Sequence, residues 1–147
     1  MPTLPKLVAV FALILLVVGL PILGHFARQK DGHHCALDGV LIEPIYRVRI
    51  VDHDQHSYEF CCIKCAQWWL ASRGDKPCTV FVRDESGGKE IPSEDAHFVT
   101  STVITMPTTG NTIHVFAEEV DAQKHADKLW GRVLKDGDRP FHQVNGG

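Results

Sequence analysis

Positive charge is in short supply. From Gly32 onward the chain has 12 Lys/Arg against 17 Asp/Glu, and no stripe of basic side chains is left to meet a phosphate backbone, which argues against nucleic acid as a partner. No Ser/His/Asp grouping, glycine-rich phosphate loop or paired-carboxylate pattern is present, so hydrolytic and phosphoryl-transfer chemistry have no carrier. Ala66 stands where a histidine must follow Cys62-Ile63-Lys64-Cys65 for covalent haem attachment, which removes a c-type haem. The cysteines number five. An odd count leaves at least one thiol without a disulfide partner, so a purely disulfide-stapled domain is excluded as well.

Long apolar runs are also few, and one dominates. Leu7 to Gly24 is 18 positions without a charge, just enough to cross a hydrocarbon core of roughly 30 Å as a helix. No small-x-small cleavage pattern follows it, only His25-Phe26-Ala27-Arg28-Gln29-Lys30, so an uncleaved anchor is expected rather than a signal peptide. Lys6 on one side and Arg28 and Lys30 on the other leave the orientation undecided by charge. The expected organisation is an N-terminal membrane anchor and linker over 1–30, a small α+β domain over 31–135, and a loose tail over 136–147.

Within the domain, Cys35 to Gly39 reads as a turn closed by a glycine free to take positive φ. Ile45 to Val51 and His56 to Phe60 alternate as a β-hairpin around a polar turn. Cys62 to Ser72 reads as a helix terminated by Gly74, and Cys78 to Arg83 as a returning strand. Ser93 to Ala96 suggests a capped helical turn. Phe98 to Thr105 and Thr112 to Phe116 are strands flanking the loop Met106 to Asn111. Glu118 to Trp130 is a helix with acids early and Gly131 past its end, and a short strand to Leu134 follows. Strand, strand, helix, strand thus occurs twice. Phe60…Cys65-Ala66-Gln67…Gly74 lines up with Phe116…Asp121-Ala122-Gln123…Gly131, as two ββαβ-like units would.

Cys61, Cys62 and Cys65 crowd the point where the second strand becomes a helix. The first turn of a helix is electropositive and has free N–H groups, which favours thiolate, the form that binds soft metals and attacks disulfides. Cys62 and Cys65, one turn apart, point the same way and can share an ion, whereas Cys61 faces oppositely if the strand continues. Cys78, after Pro77, reads as packing. Trp68, Trp69 and Leu70 read as core and surface lining.

The order of these signals resembles the NosL family, the nitrous-oxide reductase accessory proteins. Cys35-Ala36-Leu37-Asp38-Gly39-Val40 resembles the family's Cys-x-x-Cys-Gly-Met, and Phe60-Cys61-Cys62-Ile63-Lys64-Cys65 its Phe-Asp-Asp-x-x-Cys. Val82-Arg83-Asp84 with Gly88, Ile91, Ala96 and Phe98-Val99 resembles its central motif; Met106, Val115-Phe116 and Ala122 resemble its ending. The likeness spans Cys35 to about Gly131. It implies paired ββαβ units, a topology shared with the organomercurial lyase. It also implies an extracytoplasmic, membrane-tethered Cu(I) carrier, not an enzyme, exchanging metal with a partner protein from the outer face of a bacterial inner membrane. By this carry-over Cys35 and Met106 join Cys61, Cys62 and Cys65 as metal donors in a shallow, thiolate-rich site, with His33, His34 and His114 in reserve. Asp38 departs from the pattern where a second cysteine is expected, Val40 where a methionine is, and Cys61-Cys62 where two aspartates stand. Two other readings share these residues: a structural zinc site from Cys35, Cys61 or Cys62, and Cys65, and a thiol–disulfide oxidoreductase using Cys62 and Cys65. Against the second, only a hairpin turn separates residues 51 and 56, where such folds need a helical crossover.

Overall fold

The computed structural model describes residues 33–74 and 76–143. The apolar segment expected as an anchor lies outside them; among the described residues no helix is long and apolar enough to cross a membrane. What the described chain forms is a small α+β domain with two antiparallel sheets and two helices.

The first sheet is built around β1 (Val48–Asp52), whose alternating burial sends Val48, Ile50 and Asp52 inward. It pairs with β2 (Ser57–Phe60) through the hairpin, Val48 opposite Phe60, and on its other edge with β3 (Cys78–Arg83). Between β2 and β3 runs α1 (Ile63–Arg73), which ends at Gly74 with φ 71°, a left-handed conformation that costs glycine nothing. The second sheet repeats the plan. Its central strand β5 (His97–Thr100) pairs with β6 (Ile113–Phe116) and with β7 (Arg132–Leu134), and α2 (Glu119–Lys128) is the crossover. The strand orders β2-β1-β3 and β6-β5-β7 are those of two ββαβ units, with Phe60 and Phe116 ending equivalent strands and Ala66 and Ala122 buried in equivalent helices.

Four local expectations change. The strand expected from Ile45 begins at Val48, because Pro44–Tyr46 forms a 3-10 turn with Pro44 at its start. Glu90–Pro92 forms β4, pairing with β3 at the edge of the first sheet, where Pro92 can sit without a ladder N–H. The strand expected to Thr105 stops at Thr100, because beyond it β5 has lost β7 as a partner and Ser101 keeps only a contact to Thr112. Ser93 to Asp95 is a turn without a helix.

Residues 136–143, expected as a loose tail, fold back on the domain. A 3-10 turn (Asp136–Asp138) leads to Arg139, whose guanidinium donates to the carbonyls of Ser93, Glu94 and Ala96. Phe141 is buried against Phe98, ring centroids 6.4 Å apart. The main core runs through both sheets, from Val48, Ile50, Phe60, Val80 and Val82 to Phe98, Val115 and Leu134, and the cysteines sit in it.

Candidate metal centre

Two segments carry the site. The turn Cys35–Gly39 is tied down by backbone bonds from Cys35 N–H to Val40 and from Gly39 N–H to Cys35, and Ala36 N–H donates to the Glu59 carbonyl of β2. Gly39 adopts φ 72°, which lets the chain reverse and hold Cys35 and Asp38 over the end of β2. The other segment is the junction of β2 and α1. Phe60 ends the strand, the chain bends at Cys61, Cys62 is the N-cap with extended backbone, and Cys65 lies in the first helical turn.

These segments bring four donors together. The sulfurs of Cys35, Cys61 and Cys65 and a carboxylate oxygen of Asp38 all lie within 4.8 Å of one another. Cys61 and Cys65 are 3.5 Å apart Sγ to Sγ. Asp38 Oδ2 is 3.3 Å from Cys65 Sγ and 3.8 Å from Cys61 Sγ, while Asp38 Oδ1 accepts the Val40 N–H at 3.1 Å. The three thiols are almost wholly buried, and Asp38 is exposed.

The pairing differs from the one expected. Cys65 meets Cys61, and Cys62 turns away, its Sγ 3.3 Å from Thr109 Oγ1 and 4.0 Å from Cys61 Sγ. The helix begins one residue later than the sequence suggested, so Cys62 keeps extended backbone and never stands over Cys65. Met106 is buried in the same core, at the head of the loop whose Thr109 touches Cys62. Lys64 holds that loop to α1 by donating to the carbonyls of Gly110 at 2.8 Å and Thr109 at 3.4 Å.

Electrostatics also depart from expectation. Burial, with the neighbouring sulfurs, pushes the Cys61 thiol well above its ordinary range, and burial does the same to Cys65 beside Cys61, Cys62 and Asp38. The helix start favours thiolate, but desolvation outweighs it here. These thiols are protonated without a metal, and a bound cation must displace their protons. Burial would raise the Asp38 carboxyl too, yet the Val40 N–H and the thiols of Cys35, Cys65 and Cys61 hold it below its usual value.

The histidines named as reserves lie elsewhere. His33 pairs with Glu59. His114 is buried, Nδ1 2.8 Å from Glu85 and Nε2 3.3 Å from the Val103 carbonyl. His34 bridges to Leu41 through the backbone. Cys78 lies half-buried at the start of β3 against the core, its thiol raised by burial. Trp69 packs at a tilt against Tyr58 and Phe60, ring centroids 4.6 and 5.2 Å apart, and Trp68 is 54% exposed. One other acidic group, Asp52, His53 and Asp54, gathers on the β1–β2 turn; Asp52 is engaged there by the Asp54 and His56 N–H groups and by Arg73.

Sequence reasoning missed Asp38. Its signal was its place in the first motif, where a metal donor was expected and a carboxylate stood.

No family model matches the chain, and no curated protein matches it. Among solved structures the fold is similar to the crystal structure of the copper chaperone NosL from Shewanella denitrificans, with TM-score 0.60 and 21% identity, covering 70% of this chain and 86% of that chain. At that identity the likeness establishes a divergent NosL-like fold.

Proposed function

We propose that this chain is a carrier of a soft metal ion, Cu(I), which it receives from one protein and hands to another. The observation that carries the reading is the convergence of Cys35, Cys61 and Cys65 from two separate segments of a NosL-like fold. Three sulfurs satisfy a soft monovalent ion, and Cys62 and Met106, in the same core, are the further sulfurs available to it. Copper is cargo here, and no bond-making step is assigned to the protein.

The buried thiols change the expected mechanism. A shallow site would let a partner's donors attack directly. Here the sulfurs are covered and Asp38 marks the exposed side, so exchange proceeds through displacement of the Cys35–Gly39 turn, with the partner's donors entering as Cys35 leaves. Leu37 on that turn and Trp68 on α1 are exposed apolar side chains on the segments that bear the cysteines, each available for contact with a partner. The apolar segment Leu7 to Gly24 would tether the domain at a bacterial inner membrane, facing outward.

An oxidoreductase reading fares worse. That reading needs an accessible Cys62 paired with Cys65, but both are buried, Cys62 Sγ sits against Thr109 Oγ1 at 3.3 Å, and burial raises the Cys65 thiol where a reactive one is lowered. A static zinc site shares the same donors, and retention against exchange separates it from a carrier. The test is anaerobic Cu(I) titration of the full-length chain against a chromophoric Cu(I) chelator, then addition of a tighter acceptor. One equivalent bound, removable by the acceptor and lost in Cys61→Ser/Cys65→Ser, is expected. Copper left with the chelator by the wild type, or held by the double variant, would overturn the proposal.

A further inference from the structure

We infer that Asp38 is a fourth metal donor, giving this site a second loaded state in which a divalent ion of the zinc class is held by the sulfurs of Cys35, Cys61 and Cys65 and one oxygen of Asp38. The inference rests on the reading of those three cysteines as ligands and adds the residue that sets metal preference among them.

Geometry is the first support. A tetrahedron with Zn–S of about 2.3 Å and Zn–O of about 2.0 Å has S···S edges of about 3.8 Å and S···O edges of about 3.5 Å. The site has Cys61 Sγ to Cys65 Sγ at 3.5 Å, Cys65 Sγ to Asp38 Oδ2 at 3.3 Å, and Cys61 Sγ to Asp38 Oδ2 at 3.8 Å, with Cys35 Sγ inside the same 4.8 Å limit. Each measured edge is within a few tenths of an ångström of what the ion needs.

Asp38 is also divided between two tasks. Oδ1 caps the Val40 N–H and fixes the turn, and this aims Oδ2 at the sulfurs. In the metal-free site Oδ2 accepts the S–H groups of Cys65 and Cys61, so the oxygen already faces the place an ion would occupy once those protons are displaced. Charge points the same way. Three thiolates and a carboxylate around buried sulfur are half neutralised by a divalent ion and less by a monovalent one, and the hard oxygen that suits zinc is of little use to Cu(I). An all-sulfur site would hold either ion; an aspartate oxygen in its place remains a full donor to zinc and a poor one to Cu(I), which tilts the preference toward the divalent ion.

Asp38→Asn tests this, since the amide keeps an oxygen for Val40 but offers no anionic donor to a metal. Zn(II) and Cu(I) affinities of full-length wild type and Asp38→Asn are measured anaerobically by chelator competition, with Co(II) as a spectroscopic probe. The expected result is a fall of about tenfold or more in the ratio of Zn(II) to Cu(I) affinity, together with loss of the tetrahedral Co(II) ligand-field bands of the wild type. An unchanged ratio, whether both affinities drop in parallel or neither does, overturns the inference and leaves the copper-carrier reading standing. A wild type that takes Zn(II) through Asp38 but no Cu(I) overturns the carrier reading and leaves this one. A wild type that binds neither metal overturns both.

Discussion

A single residue's backbone decides which sulfurs meet. Cys62 has φ −166° and ψ 170° as the N-cap of α1, so its side chain leaves toward Thr109 while Cys61 and Cys65 close on each other. The sequence places three cysteines at a strand–helix junction, and that junction is where they are. What it could not resolve is the first residue of the helix, because terminal residues are set by capping contacts that pattern does not encode. A shift of one position exchanged Cys61 for Cys62 as the partner of Cys65. Asp38 was visible only as a departure from a motif, since its role depends on a turn that swings one oxygen over another strand's end. The consequence for binding is specific. Cys61→Ser is expected to weaken Cu(I) binding by more than about a hundredfold and Cys62→Ser by about tenfold, the low end of the roughly 10–100-fold typical of outer-shell changes. Chelator competition on the two single variants decides it, and equal losses would show that Cys62 ligates as fully as Cys61.

Among the elements, those with strong periodicity or glycine punctuation were legible: β1 and β2, β3, both helices, and the stop at Gly74; α2 ends two residues earlier than Trp130, and Trp130, φ 53°, takes the left-handed position ahead of Gly131. Gly131 has a further constraint, because a Cβ there would lie 2.4 Å from the Thr100 carbonyl oxygen and 3.1 Å from Ser101 Cβ. Gly131→Ala is therefore expected to destabilise by about 2 kcal/mol through overpacking against backbone that cannot yield, read as a lower urea midpoint. Strand β4 was not legible. Glu90-Ile91-Pro92 is too short and carries a proline, and it is a strand because of what lies across the sheet. Arg49 on β1 lies over the Phe81 ring of β3, 4.2 Å to its centroid, and reaches Glu90 with Nε 3.2 Å from Oε1 and Nη2 2.6 Å from Oε2; Arg47 adds a weaker contact at 3.4 Å. The Arg49 hydrogen bond, against the opposing cost of burial, holds the Glu90 carboxyl below its ordinary value of 4.5. A carboxylate whose folded pKa is depressed stabilises the fold above the unfolded pKa, and that contribution disappears as pH falls through the folded pKa. Glu90→Gln should cost about 1 kcal/mol at pH 7, a bidentate pair discounted for partial exposure. As pH falls through the depressed folded pKa the variant and wild type should converge, and an undiminished gap in acid would place the loss in packing instead of charge.

At the scale of the molecule, the two ββαβ units are joined by a pair of acids at the end of β3. Asp84 Oδ2 accepts the Gly87 N–H at 2.7 Å, and Oδ1 accepts Ser86 N–H at 3.2 Å and, from the other unit, Ala117 N–H at 3.1 Å. Glu85 continues the seam. Its backbone N–H donates to the Val115 carbonyl at 2.9 Å, its Oε1 accepts the Val115 N–H at 3.0 Å, and its Oε2 meets His114. Val82-Arg83-Asp84 stood out in the sequence as a motif, but its part in joining the units was hidden there, since Asp84 reaches across to the Ala117 N–H 33 residues away. The tail adds a second clasp through Arg139 and Phe141, and the core runs unbroken between the sheets. Such a chain should unfold as one body. Asp84→Ala removes the acceptor for three backbone N–H groups at once, and leaving such groups without a partner in a buried setting costs about 1–3 kcal/mol each where water cannot reach. The expected loss is about 3 kcal/mol, measured by urea denaturation, with the midpoint lowered, the slope unchanged and a single transition retained. Two separated transitions, the first sparing the unit that holds Cys35, Cys61 and Cys65, would show that the seam is dispensable and that the half with the cysteine cluster stands by itself.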